Sequence, residues 1–175
     1  FAHPAPFDTC NGCHDPHKLA LDVTACATCH EGVAKVEDLA AIRMAGSLMD
    51  YDGDGDAEEG IGAEYAGLQE KLLAAIPAYG KDVAKADIGY DAATYPYFFG
   101  DANANGKLDE GEKAYAAWTP RLLKAAYNYQ YVQKDPGMYA HNAKYAGQIL
   151  YDTLEDLAAG GIEVDMEGLE RPEVE

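Results

Sequence analysis

The sequence predicts an all-α fold, with an irregular N-terminal segment packed on a helical domain that carries two acidic loops. Three observations lead there. From Val33 onward apolar residues recur at three- and four-residue steps. Helix start and stop signals bracket these runs, among them Thr119-Pro120 and Gly160-Gly161. No convincing period-two alternation marks a strand. At 175 residues the chain is long enough to bury a real core in one domain, or in one domain with a small appendage.

The texture divides the chain at about residues 32 and 160. Residues 1–32 hold all four cysteines and four of the five histidines, with Pro4, Pro6 and Pro16 breaking any long helix. Within residues 33–160, a first helix over residues 33–48 would bury Val33, Val36, Leu39, Ala40, Met44 and Leu48. A second, over 64–76, would bury Leu68, Leu72, Leu73 and Ile76 and be interrupted by Pro77. A third starts at Thr119-Pro120, presents Leu122, Leu123, Ala126 and Tyr127, and ends at Asp135-Pro136-Gly137. A fourth, over 139–159, carries Ala143, Ala146, Ile149, Leu150, Leu154 and Leu157. Residues 161–175 are acidic with few apolar positions, so an extended tail is expected, mobile or laid on a partner.

Charge excludes some functions. With 13 Lys and Arg against 31 Asp and Glu, the formal charge is −18. Such a chain repels phosphate backbones and anionic lipid, which argues against nucleic-acid or peripheral-membrane binding. No apolar run reaches the length a membrane span requires. The opening Phe1-Ala2-His3-Pro4 has no initiating methionine, as expected of a processed or trimmed product.

The four cysteines fall in two runs, Cys10-Asn11-Gly12-Cys13-His14 and Cys26-Ala27-Thr28-Cys29-His30. Each is Cys-x-x-Cys-His, the attachment signature of c-type haem. Two thiols at this spacing can add to the two vinyl groups on one porphyrin edge, and the following imidazole becomes an axial ligand of the iron. A four-thiolate zinc site is the alternative, but it leaves the histidine after each pair unexplained. Two haems c are expected, on Cys10 and Cys13 and on Cys26 and Cys29, with His14 and His30 as proximal ligands. Because c-type haem is attached beyond the cytoplasmic membrane, a periplasmic or extracellular location follows.

Two further runs suggest calcium. Residues 101–112 fit the twelve-residue EF-hand loop, with donors Asp101, Asn103, Asn105, the Lys107 carbonyl, Asp109 and Glu112, and with Gly106 at the bend. A second loop opens equally well with Asp50, Asp52, Asp54 and Asp56 but has Ile61 at position 12, so Glu59 or Glu58 would have to close it. One or two Ca2+ ions are expected, in helix–loop–helix settings, as structural staples.

His3, His17 and His141 then compete for two distal positions. His17, three residues from His14, is too near to reach the opposite face of the same porphyrin. It suits the second haem or one outside this chain. His141 could close a haem from the helical layer.

Three segments carry a resemblance. Residues His3-Pro-Ala-Pro-Phe-Asp-Thr-Cys-Asn-Gly-Cys-His-Asp-Pro-His17, the second cysteine motif and Lys134-Asp-Pro-Gly-Met-Tyr-Ala-His-Asn-Ala-Lys-Tyr145 resemble the C-terminal region of multihaem c-type cytochromes of metal- and sulfur-respiring bacteria. The Ala-His-Asn setting resembles that of a distal haem ligand in related proteins, which implies this role for His141. Some members of that family form conducting filaments in which a histidine of one subunit ligates haem in the next. The resemblance therefore implies a redox partner protein, an extracellular acceptor or a second copy as partner.

The expected function is electron relay between two bis-histidine haems. Sixteen residues separate the motif starts, about 24 Å even along a straight helix. An open haem site of a reductase or peroxidase, and a zinc and calcium binding module, are the alternatives.

Overall fold

A computed structural model describes residues 3–43 and 48–173. Three long helices form the body: α3 (Ile61–Tyr79), α4 (Pro120–Gln133) and α6 (Ala143–Ala159). Each pair among them is in contact. Leu68, Leu72 and Ile76 of α3, Leu122 and Ala126 of α4, and Leu150, Leu154 and Leu157 of α6 are buried at the helical spacing that places them on one face. Thr119 caps α4 through its side chain, accepting from the Leu122 N–H, with Pro120 at the first position.

The all-α expectation is corrected by two small antiparallel sheets. One pairs β1 (His14–Asp15) with β2 (Ala20–Leu21), and the other pairs β3 (Ile88–Tyr90) with β4 (Phe98–Gly100). Strands of two or three residues are too short to display a period of two. Around them lie the short helices α1 (Cys10–Cys13), α2 (Val23–Cys26) and α5 (Met138–His141).

The helices themselves differ from expectation at three places. Among the described residues of 33–48 only a six-residue 3-10 helix forms, Val36–Ala41, with Val36 exposed; Met44 lies outside the described residues. Pro77 does not interrupt α3, which begins earlier and runs through it into a π-helical turn at Gly80–Ala84. Gly80 is required there, because a Cβ would approach the Ile88 side chain to 2.5 Å. The fourth helix is broken at Asn142, whose side chain accepts from the Tyr145 N–H and starts α6.

The tail lies on its own chain. Ile162 and Leu169 are buried, Arg171 makes a two-pronged pair with Asp152 (2.6 and 2.9 Å), and the Gln148 side chain donates to the Pro172 carbonyl. Gly53 passes so close beneath Gly168 that a Cβ would sit 3.0 Å from its backbone.

Asp156 ties α6 to α4 by accepting from Lys124 (2.5 Å) and Arg121 (3.1 Å). Lys124 first, and Arg121 with it, hold its carboxyl below the ordinary value near 3.8. A carboxylate depressed by folding adds stability that is complete above its unfolded pKa and lost as the pH falls through the folded one. Replacing it by Asp156→Asn should cost about 1 kcal/mol in urea melts at pH 7. The difference from wild type should shrink as the pH drops through and below the carboxylate range.

Candidate haem and calcium sites

The first cysteine pair stands on the single turn of α1, after which the chain extends through His14 into β1. Asp15 then forces a tight reversal: its Oδ1 accepts from the N–H groups of His17 (2.8 Å) and Lys18 (3.0 Å). Leu19 completes the turn in the left-handed region, φ 53°, with its N–H bonded to the Asp15 carbonyl. Pairing of His14 with Leu21 and a bond from the Asp22 N–H to the Cys13 carbonyl (3.3 Å) fold the second motif back onto the first. Asp22 caps α2, and the turn that follows brings Cys29 and His30 over Cys26. Burial, with the neighbouring Cys13, pushes the Cys26 thiol up. No disulfide joins any of the four cysteines.

The histidines are brought together in pairs. The rings of His14 and His141 have centroids 6.1 Å apart, and those of His3 and His30 are 6.2 Å apart. A metal–imidazole bond is about 2 Å and the nitrogen lies roughly 1.1 Å from its ring centre, so two imidazoles on opposite sides of one metal have centres about 6.2 Å apart. Both separations match that span, and each pair joins a motif histidine to one distant in sequence or on the other side of the motifs. His17 is exposed at the tip of the turn, with no side-chain partner among the described residues. The four thiols do not converge as zinc would need. Among the described residues, the groups of three or more acidic, histidine or cysteine ligand atoms within 4.8 Å of one another consist of carboxylates alone.

Those carboxylates belong to the first acidic loop and to the start of α3, and the loop's backbone pattern repeats that of the second. Position 1 accepts from the N–H groups of positions 5 and 6 in both: Asp50 from Asp54 and Gly55, Asp101 from Asn105 and Gly106. Position 3 accepts from position 5, and position 5 from position 7, again in both. In the second loop the Asn103 and Asn105 amides meet on one oxygen of Asp109, which they hold below the ordinary carboxyl range. Glu112 closes the ring by accepting from the N–H groups of Ala102 and Asp109, both at 2.8 Å.

The helix–loop–helix setting is corrected. The second loop joins β4 to a segment bridged back at Phe99 and Ala114, and only the first leads into a helix, α3. Closure of the first loop also holds a residue the sequence reading missed. Fully buried Glu64, fifteenth from Asp50 and in the first turn of α3, accepts from the Tyr51 N–H (2.6 Å) and the Asp52 N–H (3.2 Å), as Glu112 does at position 2 of its loop. Its other oxygen pairs with Arg43. Glu59 approaches Asp52 and Asp54, and its Oε1 is buried without a hydrogen-bond partner. Burial and then the neighbouring carboxylates push the Asp52 and Glu59 carboxyls up. Asp56 is exposed. A glutamate three places beyond the expected closing position on an amphipathic run was the available signal for Glu64.

With this geometry in view, relatives become informative. The chain is 28% identical over 159 residues to the C-type polyheme cytochrome OmcC of Geobacter sulfurreducens, and 30% identical to OmcB of two strains of that organism. Each match covers 84% of this chain. The chain is homologous to the polyhaem c-type cytochromes. It spans about 17–18% of the length of the curated relatives it matches. No family model and no solved structure matches it.

In this cytochrome homologue the Arg43–Glu64 pair braces the first loop against α3. Breaking it by Arg43→Ala leaves Glu64 buried beside other carboxylates and should cost about 3–5 kcal/mol in chemical denaturation. A loss below about 1 kcal/mol would show that the pair does not hold the loop.

Proposed function

We propose that the chain is an electron-carrying unit with two covalently attached haems, each ligated by two histidines. The observation that carries this reading is the pairing of both motif histidines with a second ring at the span of one metal ion. Cys10 and Cys13 would hold one haem, with His14 and His141 as its iron ligands. Cys26 and Cys29 anchor the other, with His30 and His3. When bound, each haem supplies a one-electron iron couple; the protein supplies attachment, orientation and axial ligands. Imidazoles at both ligand positions would leave none for a substrate, which supports a carrier over an enzyme. The β1–β2 pairing holds the two motifs side by side, which suits electron relay between the haems.

Electrons would pass on to a redox partner protein, an extracellular acceptor or a second copy, in a periplasmic or extracellular setting. Among the described residues no helix is long and apolar enough to cross a membrane. The exposed His17 suits a haem outside the two described, and a second copy in a filament would present one.

Calcium would occupy the two acidic loops as a staple. Asp101, Asn103, Asn105, the Lys107 carbonyl, Asp109 and Glu112 supply oxygens to one ion. Asp50, Asp52, Asp54, the segment at Asp56 and Glu59 supply them to the other, with Glu64 bracing that shell. Calcium relieves the carboxylate repulsion that burial imposes there.

Two measurements test these assignments. In the haem-loaded chain both reduced haems should show sharp low-spin bands; His3→Ala and His141→Ala should each turn one haem high-spin. Retention of two low-spin haems in the double variant would contradict the pairing. Chelation should lower the melting temperature by about 5–10 °C per saturated site. An unchanged melt would remove calcium from the account.

A further inference from the structure

The His141 imidazole sits in a seat made by the chain between α4 and α6. Its Nδ1 lies 2.8 Å from Oδ2 of Asp135. An ionised carboxylate only accepts, so Nδ1 carries the hydrogen and Nε2 presents its lone pair. The carboxylate is itself fixed, because its Oδ1 accepts from the Gly137 N–H at 3.1 Å. Gly137 also makes room for the ring: a Cβ there would stand 3.0 Å from Cε1 and 3.3 Å from Nε2 of His141.

The backbone of this seat is tied at both ends. The Asp135 N–H donates to the Val132 carbonyl at the end of α4, and the Met138 N–H donates to the Asp135 carbonyl. The His141 N–H returns to the Gly137 carbonyl at 2.9 Å, closing the single turn of α5. Val132 and Met138 are buried, so the loop is anchored in the helical core. Among the described residues, no other histidine ring has a hydrogen bond to a carboxylate in the way His141 has.

We infer that Asp135 is a positioning residue that fixes the tautomer of His141 and makes it a stronger electron donor than the other axial histidines, giving the two haems unequal potentials. This rests on the reading of His141 as an axial ligand. A carboxylate on the far nitrogen raises the basicity of the coordinating one, which favours oxidised over reduced iron. The haem capped by His141 therefore has the lower potential. Electrons entering the pair settle on the haem capped by His3 and His30, and the difference gives the relay a direction.

The test is a potentiometric titration of the full haem-loaded chain followed by its visible spectrum. Asp135→Asn removes the charge and, with its one oxygen kept on the Gly137 N–H, offers Nδ1 only an N–H in place of an acceptor. It should raise the lower of the two potentials by a tenfold change in the redox equilibrium, about 59 mV for one electron, and leave the other in place. Asp135→Ala should do the same and add a high-spin fraction as His141 loses its seat. Unchanged potentials in Asp135→Asn, in a protein where His141→Ala does create a high-spin haem, would overturn this inference and leave the axial assignment standing. Two low-spin haems in His141→Ala would overturn both.

Discussion

If two haems are held as proposed, the N-terminal end depends on imidazoles that face each other across the width of a metal ion. Among the described residues before Val33 no side chain is buried. A segment with three prolines, two single-turn helices and a two-residue strand pair has no apolar core with which to offset the conformational entropy of ordering it. Two porphyrins, each clamped by two thioether bonds and two histidines, would supply that core. The ring separations of 6.1 and 6.2 Å are compatible with that arrangement.

The helical body has the opposite economy. Leu68, Leu72, Leu122, Leu150 and Leu154 are wholly buried, and α3, α4 and α6 close directly on one another. Its contribution to the haem end is a single projecting seat, Asp135 to His141, rooted in the buried Val132 and Met138. The first acidic loop leads into α3, and the second follows β4. The first is held by Glu64 from α3 and overlaid by the tail at Gly168, so chain that looked unattached in sequence instead shields a cluster of carboxylates.

Much of this was legible in residue order, and the exceptions have physical causes. The cysteine runs and the Asp101 loop are defined by spacing alone, which is why they could be read directly. The start of α4 was legible because Thr119 and Pro120 act locally. Residues 33–48 misled, since a helical pattern of apolar residues predicts a helix only if a surface exists to bury that face, and Val36 and Leu48 remain exposed. The three-residue strands β3 and β4 were hidden by their brevity. Glu64 and Asp135 were missed because each works through a partner remote from any motif, and no local spacing announces that. The pairing of His3 with His30 and of His14 with His141 is likewise a property of the folded chain; sequence offered three candidates for two places and left His17 among them.

The most direct measurement is hydrogen exchange on the haem-loaded chain beside a haem-free variant in which all four cysteines are alanine. The account predicts that amides of residues 10–30 are protected only when haem is attached, while those of α3, α4 and α6 are equally protected in both. Protection of residues 10–30 without haem would contradict it, because the segment would then possess a core of its own.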